Sequence, residues 1–392
     1  MFGRAKKPPV TYGALIDIGS GSVGGAVLVV DHLNNTKEIL FETRTWLVKS
    51  EGETDRLRAT KEALLTVVLE LGNAGIRAAL DHNSSAKIEN LYIGISAPWA
   101  YTVSRNIEYG TDEPVKISHE LIDDLSKSAE EQAVETLQEE HIAEAQNLTI
   151  INRATTSLTA NGYAISPDAT VVTDTIKLSH SSSLAHTDLL NTIKEIIDPV
   201  FPDIGIVPYT FAFVYYQVVA DMVPSLQNVC LIDITADATE MIIVKDGALS
   251  YVSHIDCGNR TIAREVAEAA GVPLTEALTY LKADESTALS EAVGQCLESA
   301  AVNYMKQLAK LLKSDGDHLS VPETIYLHTG DRTEGFFGSL IKSAVEEVTQ
   351  STHSVHSVSK NILKKQSSED SALYILSHFF HTQESAYYDS KH

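Results

Sequence analysis

The residues best suited to chemistry form a short turn, DIGSGS, that directly follows an apolar, strand-like run. Gly19 and Gly21 would let backbone N–H groups approach a phosphate, because neither residue has a Cβ atom in the way. The hydroxyls of Ser20 and Ser22 could donate further hydrogen bonds, and Asp17 could orient a metal-bound water. An ordinary glycine-serine hairpin turn accounts for the same residues, so this motif alone does not decide the function.

A second acidic turn occupies the same place in the second half of the chain. The strand-like run VCLIDI ends near Asp233, and a loop containing Thr235 and Asp237 follows before the next apolar run, which begins near Glu240. The duplicated position therefore favours a phosphate site over two unrelated turns.

The elements that must position these turns repeat in order. The first half shows a strand, a turn, two further strands and an amphipathic helix over about 60–71. The second half shows the same series and then the strand TIYLHTG at 324–330, which ends in Gly330. Between the halves, residues 90–180 predict a strand, a long acidic helix from Ser118 to Glu140 and two more strands.

These patterns divide the chain into five predicted segments. The predicted boundaries are 10–88 for the first part of lobe I, 89–181 for an inserted module, 182–226 for lobe I continued, 227–330 for lobe II, and 331–382 for a return to lobe I with a C-terminal helix.

The whole arrangement resembles the superfamily of actin, heat-shock chaperones and sugar kinases, and within it the FtsA and PilM families of bacterial actin-like proteins. The similar motifs are ALIDIGSGSVGGAVLV, the segment that begins NVCLIDITADATE, and the module at 90–180. The resemblance implies an α/β, two-lobed, actin-like (ribonuclease H-like) ATPase fold with an inserted strand-helix-strand-strand subdomain. It also implies that ATP and Mg²⁺ are bound, with Asp17 and Asp233 at the metal. The phosphate and nucleotide residues that it implies are Asp17, Gly19, Ser20, Gly21, Ser22, Asp233, Thr235, Asp237, Gly258, Lys282 and Gly330.

Two departures weaken the expected nucleotide site. The second loop carries Thr235, Ala236, Asp237 and Ala238 where ATP-binding relatives usually have glycines, so Cβ atoms crowd its backbone. A carboxylate there would repel a phosphate about 4 Å away by roughly 4 kcal/mol at an effective dielectric constant near 20. The expected adenosine motif, HTGD at 328–331, keeps one glycine. At most a weak ATPase is predicted.

Composition excludes several other classes of protein. The chain of 392 residues has 30 Lys and Arg against 53 Asp and Glu, a net charge of −23, which disfavours nucleic acid as a partner. Its 3 cysteines are widely spaced and predict neither a disulfide framework nor a metal clip. No uninterrupted apolar run of about 18 residues occurs, and the basic start lacks the apolar core of a signal peptide, so neither a membrane span nor export is expected.

The leading functional hypothesis is a cytoplasmic scaffold protein, peripheral to the inner face of the cell membrane. Resemblance to PilM implies the platform of a type IV pilus, with a cytosolic peptide of a membrane protein as partner. Resemblance to FtsA implies the division ring, with a tubulin-like partner, and self-association into dimers or filaments fits both. The C-terminal run ALYILSHFFHTQESAYYDSKH carries little positive charge and so lacks the basic amphipathic helix typical of FtsA, which favours the PilM-like role.

The alternatives are a pseudo-ATPase scaffold without nucleotide, or a small-molecule kinase or exopolyphosphatase, whose second motif also ends in a residue like Glu240.

Overall fold

The computed structural model describes residues 9–47, 53–139, 147–169, 171–282, 290–313, 320–330, 333–363 and 370–390. The chain forms two compact units, each assembled from separate stretches of sequence. Unit 1 comprises residues 1–96, 188–218 and 363–392, and unit 2 comprises residues 97–187 and 219–362.

Unit 1 is built on a five-stranded sheet. In spatial order its strands are β3 (Thr36–Trp46), β2 (Ser22–Asp31), β1 (Val10–Ile18), β4 (Ile88–Ile95) and β9 (Gly205–Thr210). The pairs β3-β2 and β2-β1 are antiparallel, whereas β1-β4 and β4-β9 are parallel. Both β1 and β2 are buried along almost their whole length, which explains their nearly continuous apolar runs.

Six helical segments follow in chain order, of which the first three and the last contact the central strands β1 and β2. They are α1 (Glu53–Glu70), a π-helical turn (Leu71–Gly75), α2 (Ile76–His82), α4 (Thr187–Ile197), α5 (Phe211–Met222) and α11 (Ser371–Asp389). Helix α11 packs against β1 so closely that a Cβ atom on Gly13 would lie 2.1 Å from the Phe380 ring. The apolar residues near the C-terminus therefore belong to the protein core.

The continuous helical segment Asp55–His82 has the length and apolar composition of a membrane span. The sequence itself shows no uninterrupted apolar run of this length here, because Lys61, Glu62 and Glu70 interrupt it. Core helices of soluble proteins share this composition, and Val67 and Val68 of this segment are fully buried. The segment is therefore weak evidence for a membrane span.

Unit 2 contains a second five-stranded sheet with the same strand order and directions. In space the strands run β12 (Ala248–Ile255), β11 (Thr239–Lys245), β10 (Val229–Ile234), β13 (Thr324–Thr329) and β14 (Ser354–Ser357). One face packs against a core shared with α6 (Asn259–Ala270), α7 (Leu274–Lys282), α8 (Glu291–Leu311) and α9 (Glu334–Thr349). A short helix, α10 (Val358–Asn361), follows β14. The duplication expected from the sequence is present in the two sheets.

The inserted module also belongs to unit 2. Its four-stranded sheet runs β5 (Ala100–Lys116), β8 (Val172–His186), β6 (Leu148–Ala160) and β7 (Tyr163–Ala164), and α3 (His119–Glu139) packs on it over a small apolar core. The Ser104 hydroxyl of β5 donates to the Leu249 carbonyl of β12 at 2.6 Å. The module therefore contacts the second five-stranded sheet directly.

The segment boundaries differ from the predicted ones at four places, of which the first is the end of the second stretch of lobe I, at 218 instead of 226. The strand β4 pairs with β1 in unit 1, so the module begins after residue 96 instead of at 89, because Pro98 interrupts what the sequence suggested was one strand. The module ends at 187 instead of 181 because β8 continues to His186. The return to unit 1 falls at 363 instead of 331, because α9 and β14 complete the second sheet.

Candidate functional site

The first candidate turn links β1 to β2 in unit 1. The Gly19 amide donates to the Ser22 carbonyl at 3.0 Å, and the Leu47 amide donates to the Gly21 carbonyl at 2.9 Å. The side chains of Ser20 and Ser22 are buried, with 2% and 7% of each residue exposed. The turn is therefore a tight, enclosed hairpin.

The Asp17 carboxylate is engaged in an internal ion pair. Nη2 of Arg44 lies 2.8 Å from Asp17 Oδ2, and Nη1 of the same guanidinium donates to the Ser22 hydroxyl at 2.7 Å. Gly24 stands between them on β2, where a Cβ atom would lie 2.6 Å from Nη2 of Arg44. The missing side chain of Gly24 thus makes room for the guanidinium.

Arg44 connects this turn to the last helix. Its Nε donates to Asp370 Oδ2 at 2.5 Å, while Asp370 Oδ1 accepts from the amides of Ala372 and Leu373 at the start of α11. Burial works against the charge of Arg44, but Asp17 and Asp370 together raise its pKa above the usual range. The guanidinium therefore stays charged and pairs with two carboxylates.

The second candidate turn links β10 to β11 in unit 2. The Thr235 amide donates to the Ala238 carbonyl at 2.9 Å and closes the turn. At the N-terminus of α6, the Asn259 amide donates to the Thr235 carbonyl and the Arg260 amide donates to the Ala236 carbonyl, at 3.0 and 2.9 Å. These helix donors are occupied by the loop, although free donors at a helix N-terminus are what would bind a phosphate.

Gly258 is required where the loop meets this helix. A Cβ atom there would lie 2.3 Å from the Thr235 carbonyl oxygen, so no side chain fits. The Gly258 amide donates to the Thr261 hydroxyl at 3.3 Å. The structure thus brings Gly258, Thr235 and Asp237 together. The contact that joins them is close packing of the loop backbone against the helix backbone.

The acidic residues of this turn are also paired or enclosed. Oδ1 of Asp233 lies 2.7 Å from Nδ1 of His328 on the neighbouring strand β13, and both side chains are buried. Asp237 forms an ion pair with Arg264 of α6. Glu240, which lies opposite Asp233 on β11, is 3% exposed; burial, and then Asp233, raise its pKa well above the usual range.

The remaining predicted residues lie outside this turn. Lys282 is exposed at the C-terminal end of α7. Gly330 is exposed directly after β13, and no atom lies within 4 Å of a Cβ built there. Asp331, the last residue of the expected adenosine motif, lies outside the described residues.

Sequence reasoning missed the partners of the acidic residues. Arg44, Arg264 and Asp370 were not singled out, and His328 was noted only as part of an adenosine motif. The spacing of Arg264 from Thr261 on one helical face was a usable signal, whereas Asp370 lies 326 positions from Arg44 and gave none.

The fit to a magnesium nucleotide can be tested on these contacts. Asp17 and Asp233 are 4% and 2% exposed. Each already lies within hydrogen-bonding distance of a side-chain nitrogen, Nη2 of Arg44 for Asp17 and Nδ1 of His328 for Asp233. Within the described ranges, no group of three or more His, Cys, Asp or Glu side chains is arranged to hold a metal ion. In this arrangement the two carboxylates do not fit the role of Mg²⁺ ligands.

No protein-family model and no curated protein matches the sequence. Among solved structures, a chain of the "PilM-PilN type IV pilus biogenesis complex" matches with a TM-score of 0.56 and 13% identity, over 96% of this chain and 98% of that one. A "diol dehydratase-reactivating factor in nucleotide free form" matches with a TM-score of 0.47 and 11% identity, over 95% and 100% of the two chains. A Bacteroides thetaiotaomicron protein "with actin-like ATPase fold and unknown function" matches with a TM-score of 0.42 and 10% identity, over 94% and 95%. Together with the two sheets of identical strand order, the full-length match to the pilus protein shows that this chain has the actin-like, ribonuclease H-like ATPase fold.

Proposed function

We propose that this protein is an actin-like scaffold that does not depend on Mg²⁺-dependent ATP hydrolysis. One observation carries the proposal: the carboxylate expected at the metal, Asp17, is neutralised by Arg44, which is itself fixed by Asp370. A metal ion would have to displace a charged guanidinium from a buried site, and separating such a pair is costly. On this proposal the fold is kept while Arg44 takes the place that the resemblance gives to the metal ion.

The role that we propose is PilM-like. The protein would act in the cytoplasm, at the inner face of the cell membrane, and bind a short cytosolic segment of a membrane protein. The likeness to a chain of a type IV pilus biogenesis complex along almost the whole length supports this role.

Ligand-dependent stability tests the absence of a magnesium nucleotide. Saturating ATP at 100 times its dissociation constant would stabilise the folded state by about 2.7 kcal/mol. We expect no stabilisation that depends on Mg²⁺, and no phosphate release, when thermal unfolding and turnover are measured with ATP, with and without Mg²⁺. A Mg²⁺-dependent rise in melting temperature would contradict the proposal.

Binding experiments test the scaffold role. The purified protein is titrated with synthetic peptides that span the cytosolic segments of membrane proteins encoded beside its gene, and with a tubulin-like division protein from the same cell. Saturable binding of one membrane-protein peptide supports the PilM-like role, and binding of the tubulin-like protein instead supports an FtsA-like role. Light scattering in the same samples shows whether the protein assembles into dimers or filaments.

An enzyme of the same superfamily is the second candidate. The observation that favours it is Glu240, a buried carboxyl group whose Oε2 has no hydrogen-bond partner, at the end of the second motif. An exopolyphosphatase or a small-molecule kinase would need such a carboxyl group near its substrate. Phosphate release from polyphosphate, or coupled ADP production with a sugar, would establish this function and displace the scaffold proposal.

A further inference from the structure

A cavity lies within unit 2, between the module strand β5 and the edge strand β12 of the second sheet. Its volume is about 210 Å³, far above the roughly 15 Å³ that one water molecule needs. Its lining includes Tyr101 and Arg105 from β5, Tyr251 and His254 from β12, and Glu240 from β11. Polar and aromatic side chains from three strands thus converge on one space.

Glu240 is the unusual member of this lining. Only 3% of the residue is exposed, and its Oε2 atom has no hydrogen-bond partner. Burying a polar group without a partner is unfavourable, so such groups are rare in folded proteins. Its acidic neighbour Asp233 does not share this condition, because His328 lies 2.7 Å from it. A ligand in the cavity that donates a hydrogen bond to Oε2 of Glu240 would remove this unfavourable state.

The same cavity presents a permanent positive charge. Arg105 has five N–H donors, and Nη1 donates to the Ser104 carbonyl at 2.8 Å. The other titratable groups of the lining are Tyr101, Tyr251 and His254. The rings of Tyr101 and His254 lie 5.4 Å apart, and Oδ1 of Asp256 lies 3.6 Å from Nε2 of His254. The cavity therefore offers one acid that lacks a partner and one base.

These charges select against simple ions. A small cation at Glu240 would also meet the positive charge of Arg105, and a small anion at Arg105 would bring no hydrogen-bond donor for Oε2 of Glu240. A molecule that carries both charges satisfies both groups, and Val103, Val252 and Leu137 provide apolar walls for its carbon atoms. We propose that this cavity binds a small zwitterion of the amino-acid class, with its ammonium group at Glu240 and its carboxylate at Arg105.

Binding would change the protonation of the protein. Burial raises the pKa of Glu240 and so favours the protonated carboxyl group in the empty cavity. A ligand ammonium group favours the ionised form, and the carboxyl group then gives its proton to the solvent. The bound ion pair and one released proton balance the charge. The site lies entirely within unit 2 and does not depend on the scaffold role or on a nucleotide.

Calorimetry tests this proposal with the full-length protein. The probes are glycine, L-valine and γ-aminobutyrate as zwitterions of different length, with ethylamine and acetate as single-charge controls. We expect at least one zwitterion to bind at least tenfold more tightly than both single-charge probes. Titrations at pH 7 in two buffers of different ionisation enthalpy should show release of close to one proton per ligand.

Three variants complete the test. Glu240→Gln and Arg105→Gln should each weaken binding of the zwitterion roughly 10- to 100-fold, and Glu240→Gln should abolish the proton release. Glu298→Gln, on the exposed face of α8, should leave binding unchanged. Near-ultraviolet circular dichroism confirms that each variant is folded. The proposal is overturned if none of the five probes binds, if ethylamine or acetate binds as tightly as the zwitterions, or if folded Glu240→Gln binds like the unmodified protein.

Discussion

Nδ1 of His328 lies 2.7 Å from Oδ1 of Asp233, and the two residues are direct partners in the parallel register of β10 and β13. The same row continues across the sheet, because Asp233 lies opposite Glu240 and Glu240 lies opposite His254. Four titratable side chains therefore stand side by side on four strands. Because they are neighbours, replacing one of these side chains should change the electrostatic environment of the next.

Replacement of His328 tests the first of these pairs. His328→Leu leaves Asp233 buried without its partner, so we expect the free energy of unfolding to fall by about 1–3 kcal/mol in urea denaturation. His119→Leu is the control, because the His119 side chain is 75% exposed. The double variant with Asp233→Asn should recover part of the loss, and a stability equal to that of the unmodified protein in His328→Leu would contradict the pairing.

Arg44 should be among the most sensitive positions of unit 1. Arg44→Met removes one cation from two carboxylates, and breaking a buried ion pair typically costs about 3–5 kcal/mol. The matched control is Arg58→Met, because Arg58 is 72% exposed and its pair with Asp55 is worth at most about 1 kcal/mol. Equal melting temperatures for the two variants would show that the Arg44 contacts contribute no more than a surface pair.

Glu240 gives a prediction about pH. Its pKa in the folded state is raised by burial, whereas in the unfolded chain it stays near 4.5, so between these two values the folded protein binds more protons. The stability contribution of Glu240 is therefore full below about pH 4.5 and declines as the pH rises, by about 1.4 kcal/mol for each pH unit. Glu240→Gln lacks this decline, so its advantage over the unmodified protein should grow as the pH rises above 5.

Guanidinium denaturation at four pH values in that range measures this difference. Glu298→Gln serves as the control, because Glu298 is exposed on α8 and its curve should run parallel to that of the unmodified protein. A constant difference between Glu240→Gln and the unmodified protein would mean that Glu240 titrates like an exposed carboxylate.

Two glycine substitutions should have opposite effects. Gly258→Ala places a Cβ atom 2.3 Å from the Thr235 carbonyl oxygen, so the loop at 235–238 must move and the melting temperature should fall. Gly294→Ala lies inside α8, where no atom is within 4 Å of the new methyl group, and should stabilise the protein by about 0.5–1 kcal/mol. Calorimetric melting of both variants gives the comparison, and a stable Gly258→Ala would show that the contact between loop and helix is loose.

The cysteines should differ in reactivity. Burial raises the pKa of the Cys230 and Cys257 thiols to about 12, whereas Cys296 is partly exposed. The thiolate is the reactive form, so iodoacetamide at pH 8 should modify Cys296 first in the native protein and all three thiols after unfolding. Mass spectrometry of the digested protein locates the label, and equal labelling of Cys230 in the native state would contradict its burial.

The sequence allowed the repeated architecture to be predicted because the apolar runs and the turns at 17–22 and 233–238 are local signals. The return of the chain at 363 could not be predicted, because β14 is four residues long, lies in a serine-rich stretch and is defined only by its pairing with β13. The acidic candidates were visible as residues. Their pairing with basic side chains could not be predicted, because Arg44 contacts Asp370 through tertiary packing that no local pattern encodes.

The contact of Phe380 with Gly13 has a consequence for biosynthesis. During translation, β1 emerges before every other described element and α11 emerges after them, so β1 lacks its covering helix until residues 371–389 have been made. A nascent chain released before α11 has been made would expose the apolar surface of the β1-β2 hairpin to solvent. Ribosome-bound intermediates of this protein should therefore recruit chaperones through the stretch around β1 and β2, and lose them once the final helix has docked.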